Sequence, residues 1–186
     1  MLIMRVDDCM ITCASTSEIQ HIKQEIQQKN KTKHLGEARS LLGLNIQRDK
    51  GLGALCINQR EYLEKMLKCF KMEGSKTVDT PIIEKKSGNG DNRKLSEDEK
   101  TLCQEITECL IYLASNTRYY IAYAVLVLGQ TITQAIHKDL KTTKRVLRYL
   151  KGNPNLGIQF KGDFMLKGYT DASYASPQLN YRSALA

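Results

Sequence analysis

Residues 1–12 read MLIMRVDDCMIT, and two adjacent aspartates, Asp7 and Asp8, interrupt what otherwise has the character of buried β-strand. Leu2, Ile3, Met4 and Val6 precede the pair and Cys9, Met10, Ile11 and Cys13 follow it, so the pattern predicts a hairpin with the acids at its turn. Tight hairpins favour Asn-Gly or Asp-Gly, which tolerate positive φ. Two carboxylates about 4 Å apart repel by roughly 4 kcal/mol at an effective dielectric near 20, a cost that an ordinary turn does not need. A polar surface turn is the plain reading of such a pair in isolation; a bound cation is the reading that uses its charge.

Outward from this hairpin, Ser15 and Glu18 have capping-box spacing and Ile19, Ile22 and Ile26 share one stripe, predicting a helix over about 16–29. The stretch LLGLNIQRDKGLGALCIN (41–58) alternates at Leu42, Leu44 and Ile46, turns at DKGLG and returns, a second hairpin. Asn58 and Glu61 repeat the capping spacing before a helix whose apolar face is Tyr62, Leu63, Met66, Leu67 and Phe70. From Ser75 to Lys94 the composition shifts to SKTVDTPIIEKKSGNGDNRK, a linker or long surface loop.

Ser96 and Glu99 open a third helix with Leu102, Ile106, Leu110 and Leu113 on its buried side, and a fourth is predicted over roughly 119–134. The fifth, HKDLKTTKRVLRYLKGNP (137–154), is strongly two-faced. Leu140, Val146, Leu147 and Leu150 fall on one arc, and Lys138, Lys141, Lys144, Arg145, Arg148 and Lys151 on the other, before Gly152 and Pro154 end it. The stretch LGIQFKGDFMLKGYTDASYA (156–175) predicts a closing hairpin whose second strand ends near Thr170 and Asp171.

A chain of 186 residues with 41% hydrophobic content has enough apolar side chains for one ordinary domain or two small ones. Its formal charge of +8 favours an anionic partner, most commonly nucleic acid. The longest apolar run, IAYAVLVLG (121–129), falls short of the roughly 20 residues of a membrane span and reads as a buried helix. No membrane partner is expected. The start has neither the apolar core of a signal peptide nor the Arg-rich amphipathic pattern of a transit peptide, so an intracellular, cytoplasmic or nuclear, location is expected. Six cysteines lie in apolar contexts without a CxxC pair, which favours buried free thiols in a reducing compartment over a zinc site or disulfides.

Taken in order, VDDCMIT, LGEARSLLGLNIQRD, YLEKMLKCFKM, VDTPI, LIYLASNTR, IAYAV, KRVLRYLKG and GYTDASYA resemble the reverse transcriptase of copia-type LTR retrotransposon Pol polyproteins, running into ribonuclease H. The resemblance implies an α+β fold: a partial palm of two β-hairpins with helices and the start of the thumb (1–74), a linker (75–95), a helical thumb or connection segment (96–152), and the first part of a ribonuclease H domain (153–186). It implies that Asp7 and Asp8 are catalytic, metal-holding carboxylates at the palm hairpin, where Mg²⁺ neutralises charge on attacking and leaving oxygens. Asp171 resembles the first metal-holding carboxylate of ribonuclease H; the alternative is a strand-end cap.

The same resemblance places Gly43 where a backbone approaches the primer end, although a glycine at a bulge fits equally. It places Lys31, Lys33 and His34 near the leaving pyrophosphate, or else in a solvated loop. The basic face of the fifth helix would contact an RNA template or an RNA/DNA hybrid, unless it serves only solubility. Departures from the family pattern are Arg5 in place of a tyrosine, Tyr119-Tyr120 where relatives carry Pro-Asp after Thr-Arg, and Ala184-Leu185-Ala186 near the end. Because the family's other essential carboxylates would lie on segments outside this sequence, the expectation is a polymerase fragment inactive alone, with the missing N-terminal polymerase segment as a partner. The alternatives are a non-catalytic, basic nucleic-acid-binding protein and a degenerate transposon remnant.

Overall fold

The structure is a computed structural model that describes residues 2–5, 8–83, 92–162, 168, 172–176 and 182–185. The fold is mixed α and β, in two compact units divided between Leu42 and Gly43.

In the first unit β1 (Leu2–Arg5) and β2 (Asp8–Ile11) form the expected antiparallel hairpin, with Leu2 opposite Ile11 and the ladder closing at Arg5 opposite Asp8. Helix α1 (Thr16–Lys29) has the predicted limits. Its cap is not the predicted box: the Ser15 hydroxyl pairs with Ser17 Oγ at 2.6 Å, and the Glu18 carboxylate accepts from the Cys13 thiol. Short polar side chains near a helix start can bond to one another as well as to the backbone. Strand β3 (Ser40–Leu41) follows.

The second unit opens with β4 (Leu44–Asp49) and β5 (Ala54–Asn58), an antiparallel pair with Asn45 opposite Asn58. Their turn is held by Asp49, whose Oδ1 accepts from the N–H groups of Gly51 and Leu52 at 2.9 and 3.0 Å. Helix α2 (Arg60–Cys69) starts one residue later than the Asn58–Glu61 spacing suggested. The two opposed asparagines satisfy its first amides: Asn58 Oδ1 accepts from Arg60 N–H and Asn45 Oδ1 from Glu61 N–H. The cap therefore comes partly from the neighbouring strand.

Helix α3 (Glu97–Asn116) has the predicted capping box, with Ser96 and Glu99 exchanging side-chain and backbone bonds at 3.0 and 3.2 Å. Helix α4 (Ala122–Thr131) is flanked by single 3₁₀ turns, Tyr119–Ile121 and Ile132–Gln134. Helix α5 (His137–Gly152) follows. One core joins the four helices of this unit: Leu63, Met66 and Leu67 from α2, Ile106, Leu110 and Leu113 from α3, Ala124, Val125 and Leu128 from α4, and Val146, Leu147 and Leu150 from α5. Each buried leucine contributes about 2 kcal/mol.

Three sequence expectations are corrected here. Helix α4 is not buried all round: Tyr123 and Leu126 are each 47% exposed. On α3 it is Cys103 that is buried while Leu102 packs at the margin, because Cys103 meets Thr143 of α5 at 3.5 Å. Of the cysteines, all free, only Cys103 is buried; Cys9 and Cys69 are exposed.

Strand β6 (Gly157–Phe160) pairs antiparallel with β5, Gly157 opposite Asn58. Glycine is required there, since a Cβ at 157 would stand 2.3 Å from the Ile57 carbonyl oxygen. Most of its expected hairpin partner, residues 163–171, lies outside the described residues. A separate pair, β7 (Ala172–Ser176) with β8 (Arg182–Leu185), completes the elements.

Candidate nucleic-acid interface and metal-holding residues

Helix α5 carries most of the candidate side chains, and its orientation is set from both ends. Its apolar arc is fully buried, Leu140 at 3% exposure and Val146, Leu147 and Leu150 at 0%. The buried Thr143 hydroxyl is satisfied by the Asp139 carbonyl four residues back, at 2.9 Å. At the N-terminus the Asp139 carboxylate accepts from the Ile136 N–H at 2.9 Å, where a negative group complements the helix dipole.

The C-terminal end is held by Arg118, which is 0% exposed. Its Nη1 donates to the Asn153 carbonyl and to the Tyr120 hydroxyl, both at 2.8 Å, and its Nη2 donates to the Pro154 carbonyl at 2.6 Å. A guanidinium beneath the last turn is the complement of the first-turn carboxylate. Burial pushes the Tyr120 hydroxyl above its ordinary pKa, against the opposing pull of Arg118.

The cationic arc then divides into two halves. Lys138 and Lys144 have no partner among the described residues. Toward the C-terminus, Arg148 Nε donates to the Lys76 carbonyl at 2.6 Å, and Lys151 Nζ to the Ser75 carbonyl at 2.6 Å and to the Glu73 carbonyl. Arg145 Nη2 donates to the Thr80 hydroxyl at 2.9 Å. The segment read as a linker from its composition is thus strapped to α5 over residues 73–80. Its far end is tied as well: Lys94 bridges to Ile136, the Arg93 carbonyl accepts from His137 N–H at 2.9 Å, and Arg93 pairs with Glu99 at 2.8 Å. Arg93 Nη2 also meets His137 Nδ1 at 2.6 Å.

Gly43 lies at a turn where Leu42 and Gly43 both have positive φ, 51° and 77°, the pattern of a type I′ connection. A Cβ there would sit 3.3 Å from the Tyr112 hydroxyl, so the room above this glycine is taken by the edge-on Tyr62–Tyr112 pair, whose centroids are 4.9 Å apart. Burial, with the Cys109 thiol beside it, raises the Tyr62 pKa. Lys31, Lys33 and His34 are exposed on an irregular segment.

Asp7 and Asp171 lie outside the described residues, and Asp8 begins β2. Among the described residues no group of three histidine, cysteine, aspartate or glutamate side chains is placed to hold a metal. Nor is any helix there long and apolar enough to cross a membrane.

The reverse transcriptase (RNA-dependent DNA polymerase) family matches residues 1–84, from the Asp-Asp hairpin through α2 and the strap. The retrovirus-related Pol polyprotein from transposon TNT 1-94 of Nicotiana tabacum is 30% identical over 98% of the chain, which spans 14% of that protein. Its kin are the reverse transcriptase regions of copia-like Pol polyproteins. The Pol polyprotein from transposon RE1 of Arabidopsis thaliana is 31% identical over 98% of the chain and 12% of its own length. A putative transposon Ty5-1 protein of Saccharomyces cerevisiae is 27% identical, over 92% of the chain and 56% of its own. No solved structure matches the chain. The chain thus matches the reverse transcriptase region of retrotransposon Pol polyproteins and spans about an eighth of the length of the first two relatives. Within that copia-like reverse transcriptase kinship, α3 to α5 fall beyond the matched family segment yet inside the stretch shared with the whole Pol proteins.

The sequence did not indicate two groups that fix this surface. Arg118 was visible only as part of LIYLASNTR, and nothing local marks it as the clamp of a helix end 35 residues away. Thr80 and the carbonyls of 73–76 meet their cations across 65 to 78 residues, beyond any periodic pattern.

Proposed function

We propose that this chain acts within a copia-type reverse transcriptase, as part of its palm and thumb and the start of its ribonuclease H domain. In this reading the palm hairpin is β1–β2, with Asp7 and Asp8 holding a divalent ion, and the N-terminal cations of α5, Lys138, Lys141 and Lys144, contact phosphates of an RNA template or RNA/DNA hybrid. Asp171 contributes one ligand to a second, ribonuclease H centre. The observation that carries the reading is similarity to Pol polyproteins along 98% of the chain, together with the adjacent carboxylates Asp7 and Asp8 in its sequence.

The donor set suits Mg²⁺, a hard cation that takes carboxylate oxygens. When bound, such an ion neutralises the charge that builds on oxygens during phosphoryl transfer. In this reading the chain's own contribution is two adjacent acids and, separately, a row of cations on α5.

Paramagnetic Mn²⁺ tests the acid pair. Added to the isotope-labelled chain, it is expected to broaden the amide signals of Cys9 and Met10, and the Asp7→Asn, Asp8→Asn double variant is expected to lose the effect. Equal broadening in both proteins, or none, would remove the polymerase reading and leave a nucleic-acid-binding protein as the account.

A further inference from the structure

The strap carries an exposed hydroxyl that faces unneutralised charge. Arg145, Arg148 and Lys151 place three positive groups against residues 73–80, yet every acceptor they meet there is neutral: carbonyls of Glu73, Ser75 and Lys76, and Thr80 Oγ1. None of the three pairs with a carboxylate among the described residues. Arg145 Nε is buried without a partner while its Nη2 lies 2.9 Å from the Thr80 oxygen. Lys141 and Arg148 lie one turn to either side of Arg145 on the same face of α5. An anion at the Thr80 oxygen would meet the Arg145 guanidinium directly.

The threonine is open to chemistry. It is exposed, it lies in irregular chain, and the backbone of residues 77–82 makes no hydrogen bond among the described residues. Pro81 follows it, which removes the next backbone donor and biases Thr80 toward extended backbone.

We propose that Thr80 is a phosphorylation site for a proline-directed serine/threonine kinase and that Arg145 clasps the product. In the transfer, Thr80 Oγ bonds to the γ-phosphorus of ATP as the bond to the ADP oxygen breaks, and the hydroxyl proton passes to the kinase's base. The resulting phosphate carries nearly two negative charges at neutral pH, and it replaces a neutral acceptor with an anionic one, so that the single bond from Arg145 becomes an ion pair with room for the guanidinium fork. The strap is then locked to α5.

The test is incubation of the full chain with ATP and a proline-directed kinase, followed by phosphopeptide mapping, because Ser176 also precedes a proline. One phosphoryl group is expected on Thr80, absent in Thr80→Val. Phosphorylation is then expected to slow tryptic cleavage after Lys76 about tenfold, the worth of one charge-assisted hydrogen bond. Arg145→Met is expected to lose that protection, and Arg145→Lys, which keeps charge without the fork, to retain only part of it. Absence of phosphate on Thr80 in the folded chain would overturn the proposal. So would phosphorylation that leaves cleavage after Lys76 unchanged, or protection that persists in Arg145→Met.

Discussion

The two halves of the basic arc on α5 carry the same number of positive charges at the same helical period, and they have different surroundings. The N-terminal half keeps Lys138 and Lys144 unpartnered among the described residues, while in the C-terminal half Arg145, Arg148 and Lys151 grip the strap. A helical period states which side chains share a face; it does not state what that face meets. The cations of α5 thus divide into a half that meets the strap and a half that does not.

The largest effect removes the support that both halves share. Leu147→Ala, at 0% exposure in the four-helix core, is expected to cost about 3 kcal/mol in urea unfolding and to loosen the strap. Next is Gly157→Ala, which strikes only beyond the C-terminal half. The added Cβ meets the Ile57 carbonyl oxygen, so β6 must shift from β5 at a cost of about 2 kcal/mol, read as lost amide protection at Ile57 and Gln159.

A smaller effect separates the halves. Arg148→Met is expected to cost about 1 kcal/mol and to speed tryptic cleavage after Lys76, whereas Lys144→Met is expected to leave both unchanged. Faster cleavage in both would erase the distinction.

The smallest effect concerns pH at the strap's far end. The Arg93 guanidinium beside Glu99, with the Ser96 amide, holds its carboxyl at about 2 against an ordinary value of 4.5. A depressed folded value means that this contribution is fully present above pH 4.5 and is lost as pH falls through 2. Glu99→Gln is expected to flatten that part of the acid limb of an unfolding curve, and an unaltered limb would remove Glu99 from the account.

Elements with strong local signals were legible. The limits of helix α1, the β4–β5 hairpin and the apolar arc of α5 follow from period and turn residues, and the Ser96–Glu99 box from capping residues close in sequence. What was hidden depends on distant partners. The strap's charged composition reads as a solvated linker because backbone carbonyls, its actual acceptors, do not appear in composition. The amide donors at the start of α2 find Asn45 across a strand pair, a cap that no local spacing encodes. The all-round apolar α4 reads as buried, although Tyr123 and Leu126 of its outer face are exposed. That Gly43 sits beside the Tyr62–Tyr112 pair is likewise not written in its local sequence, which fits a bulge as well as a close backbone approach.

In the proposed reading the N-terminal cations of α5 contact nucleic acid while the C-terminal ones hold the strap. Its direct test is the affinity for an RNA/DNA hybrid as a function of salt, for the unaltered chain and for Lys138→Ala, Lys141→Ala, Lys144→Ala combined. Binding is expected at about 50 mM salt and is expected to weaken steeply as salt rises, with a logarithmic slope shallower by about 2 to 3 in the triple variant. Absent binding, or an identical slope in both proteins, would contradict it.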